Sequence, residues 1–145
     1  MHDREARIVL NRLSEYGCYK ELAEEAERMA LWTQVAIDNC GMQSSPKDKI
    51  ASTVSAGSSD SRMLELIGEQ KMYEADAKYY RERMNSIETY ISLFEVDVSK
   101  IMVEHFIKGR TYDDMEEFYF SSEGLIRKVG RAIVASDYAD AADII

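Results

Sequence analysis

Apolar residues recur every three or four positions over most of the chain, the spacing of one face of an α-helix. Val9, Leu13, Tyr16, Tyr19, Leu22, Ala26, Met29, Thr33 and Ala36 or Ile37 form a first stripe. It predicts a helix from about Asp3 to about Asn39, interrupted near Gly17. Glu21, Glu24, Glu25, Glu27 and Arg28 lie off the stripe and read as a solvated face. Met63, Leu66 or Ile67, Gln70, Tyr73, Ala77, Tyr80, Met84, Ile87 and Ile91 form a second stripe, predicting a helix from about Arg62 to about Phe94. Stripes this long each need a partner. Paired with one another they make an antiparallel hairpin over residues 1–94; paired between chains they make a homodimer through the long helices. Trp32, the single tryptophan, is expected in a core or an interface.

The periodicity lapses over residues 41–61. The run QSSPKDKIASTVSAGSSDS holds the only proline and reads as a Ser/Gly-rich loop reversing the chain.

A different pattern begins at about residue 95. Ile101, Met102, His105 and Phe106 share a helical face, and Gly109 is placed to end that helix. Thr111 with Asp114 three residues on suits a helix start, and Met115, Phe118 and Tyr119 give that second helix its apolar side. Ser121 and Ser122 interrupt the pattern, and Ser122 is a suitable N-cap for a third helix. Leu125, Ile126, Val129, Ala132 and Ile133 form one face of this helix, while Arg127, Lys128 and Arg131 lie on another. The chain is therefore expected to be all-α: a long antiparallel helical hairpin followed by a three-helix helix-turn-helix unit over 95–136. An acidic tail, 137–145, then either frays or caps the unit.

Gly109, Thr111-Tyr112-Asp113-Asp114-Met115, Ser122, Ile126 and Ala132-Ile133 are the residues that carry a family resemblance. In that order they resemble the promoter-reading domain of sigma factors, and more closely the small phage late-gene activators of the RinA and ArpU type. With the long helices and the Ser-rich middle included, the resemblance covers most of the chain. Two positions depart from the family pattern: Glu116 stands where a small residue packs between the helices, and Phe120 where Gly or Asn occupies the turn. The resemblance implies a phage or prophage transcriptional regulator that binds promoter duplex DNA, in company with RNA polymerase. Its third helix would enter a major groove with Ser122, Glu123 and Gly124 at its leading end near base edges. Ser121, Arg127, Lys128 and Arg131, with Lys108 and Arg110, would meet phosphates.

Composition changes this picture chiefly through charge. The chain carries 18 basic and 27 acidic side chains, a formal balance of −9. Residues 101–145 hold five basic against nine acidic side chains and are the most acidic third. Non-specific affinity for DNA comes largely from Lys and Arg against phosphates, so weak autonomous binding is expected. Two further readings follow. One is an acidic interaction protein that keeps the helix-turn-helix as scaffold and binds a nuclease, polymerase or other basic partner. The other is a small DNA-packaging component assembled through the hairpin.

Chemistry of other kinds finds no support in the sequence. His2 and His105 are the only histidines, and with Cys18 and Cys40 they have no metal-ligand spacing. No phosphate-binding Gly-rich loop, nucleophile elbow or His-Glu metal motif occurs. The two cysteines read as reduced structural thiols. No apolar run reaches the length of a membrane span, and the N-terminal residues lack a signal-peptide core. A cytoplasmic non-enzyme without cofactor or metal is expected.

Overall fold

The computed structural model describes residues 4–42, 56–118 and 120–145. Among these the chain is all-α: α1 (Arg4–Ser14), α2 (Tyr16–Met42), α3 (Ala56–Ser92), α4 (Val96–Met102) and α5 (Ser122–Ala135), joined by π- and 3-10 turns. The predicted first helix is interrupted, as its sequence suggested. Its break falls at Glu15, two residues before the expected Gly17, which lies inside α2. The Ser14 hydroxyl donates to the Leu10 carbonyl at 2.9 Å, and such back-bonding competes with the helical ladder and bends helices. Most of the expected 41–61 loop lies outside the described residues; at its far end, α3 already begins at Ala56.

Contacts gather the chain into two compact units, Met1–Glu21 with Arg81–Ile145, and Leu22–Tyr80. The division falls within the long helices, whereas the sequence suggested a boundary near 94–95. The first unit has a core of large side chains. Val9, Leu13 and Tyr16 from the start of the chain and Met84, Ile87, Tyr90 and Ile91 of α3 are all buried in it. Tyr16 donates to the Glu88 carboxylate at 2.7 Å, and the Arg83 guanidinium lies 5.6 Å from the Tyr19 ring, so the pairing is antiparallel. Val98, Ile101 and Met102 of α4, then Phe106, Met115 and the Leu125, Val129 and Ile133 stripe of α5, complete the core.

The tail caps this unit. Asp137 caps a 3-10 turn over Tyr138–Ala141, Ala141 and Ile144 are buried, and Arg83 donates to the carbonyls of Asp143 (2.8 Å) and Ile144 (3.0 Å). The second unit is thinner. Among its described residues the buried ones are Ala23, Ala26 and Thr33 on α2 and Leu66 and Ala77 on α3, and Gln34 meets Gln70 across the pair. Trp32, expected in a core or interface, is 70% exposed.

Candidate nucleic-acid interface

The segment between α4 and α5 sets how α5 is presented. After α4 the backbone widens into a π-turn over Val103–Ile107, and Gly109 (φ 73°) reverses it with Arg110 N–H bonded to the Glu104 carbonyl. A positive φ is the conformation that glycine adopts at little cost. The predicted second helix is wound instead as two 3-10 turns, Tyr112–Asp114 and Glu116–Phe118. Three features disfavour an α-helix here. The Thr111 side chain makes no capping bond. Asp113, Asp114, Glu116 and Glu117 would stand as like charges three and four apart. Arg110 also takes the Asp114 carbonyl, so Phe118 N–H turns to Met115.

Met115 is fully buried in that segment, whereas Glu116 is exposed rather than packed between helices. Helix α5 is capped by Ser121, not by Ser122 as the sequence suggested. The Ser121 hydroxyl accepts from Gly124 N–H at 3.1 Å, and the Ser122 hydroxyl donates to Asp113. A side chain at Gly124 would meet Ser121 Oγ at 3.3 Å and Phe120 Cβ at 3.5 Å, so glycine lets the loop lie against the first turn.

The expected site residues divide into two groups. Lys108 and Arg110 are committed to carboxylates. Lys108 Nζ lies 2.8 Å from Glu104, and Arg110 bridges Glu117 and Glu104, the latter at 3.3 Å. The Glu117 and then the Glu104 hydrogen bond hold the Arg110 guanidinium above its ordinary pKa. In return the Arg110 bond lowers Glu117, and the Lys108 bond lowers Glu104. Both cations are neutralised where they stand. His105 serves the same segment: its ring stacks on Tyr112 at 3.8 Å, and Nδ1 sits 2.8 Å from the Arg110 carbonyl. Burial pushes the Tyr112 hydroxyl up to about 12.

Arg127, Lys128 and Arg131 form the second group, with Glu123 and Ile126 on the exposed side of α5. Arg127 approaches Glu123 at only 4.0 Å, with side chains 69% and 84% exposed, a pair worth little in water. Lys128 places its ammonium 4.8 Å over the Phe120 ring. Phe120, Gly124, Arg127, Lys128 and Arg131 line a concavity of about 380 Å³. A larger groove of about 630 Å³ runs between α5 and α1, floored by Ala6, Leu10, Gly130 and Val134 and edged by Arg7, Arg127 and Arg131. Ile126, expected on the packed face, is 53% exposed. The core side of α5 steps strictly by four through Leu125, Val129 and Ile133, which turns Ile126 toward solvent.

The chain matches no known family model, curated protein or solved structure. What stands is the geometry: an N-capped helix whose solvent side carries clustered cations. Arg7 and Phe120 are the site residues that sequence reasoning missed. Nothing in the first stripe singles out Arg7, because only the packing of α1 on α5 brings it there. Among the described residues no three His, Cys, Asp or Glu side chains come together as metal ligands, and no helix is long and apolar enough to cross a membrane.

Proposed function

We propose that the protein is a transcriptional regulator of the phage or prophage kind that lays α5 against duplex DNA. The observation that carries this reading is the cluster of Arg127, Lys128 and Arg131 with Arg7 beside an exposed, N-capped helix. The guanidiniums and the ammonium meet phosphates, and Glu123, at the leading end of α5, accepts from a cytosine amino group. Ser122 is tied to Asp113 and orients the turn. With Lys108 and Arg110 neutralised, about four phosphate contacts are within reach, so binding is weak and steeply salt-dependent. RNA polymerase at the promoter would supply the remaining affinity.

Fluorescence anisotropy with duplex fragments, at low and moderate salt, tests this reading. Saturable binding is expected, and each of Arg127, Lys128 and Arg131 changed to alanine should lower affinity for all sequences and reduce the salt slope by about one. Absence of binding at low salt would overturn it. The interaction-protein reading has its own support in the Arg-edged apolar groove, whose chemistry suits an acidic amphipathic helix of a protein partner.

A further inference from the structure

We infer that the outer face of α3 in the Leu22–Tyr80 unit is a self-association seam, occupied by the same helix of a second copy in parallel orientation. This inference does not depend on the DNA reading. Leu64, Gly68, Met72, Ala75 and Tyr79 follow one another at steps of four, four, three and four. On a helix these steps keep all five within a narrow arc. Ala77 and Leu66, buried against α2, lie on the opposite side of the helix. The arc is uncovered: Leu64 is 69%, Met72 53% and Tyr79 55% exposed. The large members, Leu64, Met72 and Tyr79, recur eight and seven residues apart, close to the seven-residue repeat by which a paired helix keeps one apolar side toward its partner. Apart from Leu66 the described buried residues of this unit are small, Ala23, Ala26, Thr33 and Ala77, while Leu64, Met72 and Tyr79 stay outside.

The charges beside the arc select the occupant and its direction. Glu69 and Asp76 border one edge, Lys71 and Lys78 the other, and all are exposed. In a parallel two-fold pair the two unlike edges face each other, and Lys71 of one copy meets Asp76 of the other, twice by symmetry. In an antiparallel pair each edge meets its own kind, acid on acid and base on base. An edge pattern complementary to itself only in parallel points to a second copy of this chain rather than to an unrelated helix.

Light scattering across a dilution series of the full chain, from about 100 µM downward, reads the mass directly. A dimer that dissociates on dilution is expected. Met72→Glu should weaken it about tenfold or more, with helical content measured by circular dichroism unchanged because Met72 is already half exposed. Lys71→Glu should weaken the dimer, and adding Asp76→Lys should restore it. Orientation is read by oxidative cross-linking in a Cys18→Ser, Cys40→Ser background. Chains carrying Gly68→Cys and chains carrying Ala75→Cys should each cross-link to themselves in a parallel pair, whereas an antiparallel pair allows this only near its dyad. A monomer at every concentration would overturn the inference. So would a dimer indifferent to Met72→Glu but lost with Trp32→Glu, which would place the seam on α2, and so would cross-linking at only one of the two positions.

Discussion

The two units are built from the same two long helices, yet they bury different things. The unit containing Met1–Glu21 and Arg81–Ile145 closes over Leu13, Tyr90, Met115, Leu125 and Ile133, each at most 2% exposed. The Leu22–Tyr80 unit buries mainly alanines, and its hydroxyl-bearing Thr33 satisfies itself on the Met29 carbonyl at 2.7 Å. Leu31, Trp32, Leu64, Met72 and Tyr79 remain outside. Burial of large side chains is the main favourable term in folding, so the first unit carries the stability and holds α5 in place. The second leaves several large apolar side chains exposed. On the two proposals made above, the first unit would hold one interface in place and the second would itself be the other.

Core truncation gives the sharpest contrast. Leu125→Ala or Ile133→Ala should destabilise the protein by about 2–5 kcal/mol in denaturant unfolding, because both are fully buried. A cost near zero would mean that α5 is not anchored as described. Next comes the tail: Arg83→Gln removes the donors to the Asp143 and Ile144 carbonyls and should cost about 1–3 kcal/mol. Ser121→Ala should cost about 0.5–2 kcal/mol through loss of the α5 cap, with Ser122→Ala costing less; the reverse order would return the cap to Ser122.

The first unit also carries a pH effect. Burial, then the bond to Glu88, raises the Tyr16 hydroxyl to about 12. A hydroxyl that ionises near 10 when unfolded and near 12 when folded stabilises the fold below pH 10, and this stability is lost as pH rises toward 12. Tyr16→Phe should flatten that part of the stability profile, followed by unfolding at a series of alkaline pH values. Least of all, Trp32→Ala at monomer concentrations should change stability by less than about 0.5 kcal/mol. A large loss there would erase the distinction between the units.

Much of the fold was legible because helices write their packing in steps of three and four. The stripes through Val9, Leu13 and Tyr16, and through Leu66, Ala77, Met84, Ile87 and Ile91, are buried as read, and Gly109 ends its helix at positive φ. What the stripes omit is how wide the buried arc is. Met29 and Leu22 belong to the first stripe yet are 37% and 36% exposed, because an alanine-lined pair is too narrow to cover them. The segment from Thr111 to Phe118 departs from its pattern for a local reason: a cap signal and an apolar face yield to like-charge crowding and to Arg110 taking a backbone carbonyl. At the candidate site, Arg127, Lys128 and Arg131 were readable from one helix, but the neutralisation of Lys108 and Arg110 required knowing which carboxylates fold against them. Arg7 required the packing of α1 on α5.

Hydrogen exchange read by mass spectrometry, on dilute protein, concentrated protein and protein with duplex DNA at low salt, tests this division of labour most directly. Concentration should slow exchange over residues 61–80, and DNA should slow it over α5 and the start of α1 while leaving 61–80 unchanged. Protection by DNA confined to 61–80, or concentration-dependent protection confined to α5, would contradict the assignment of the two interfaces.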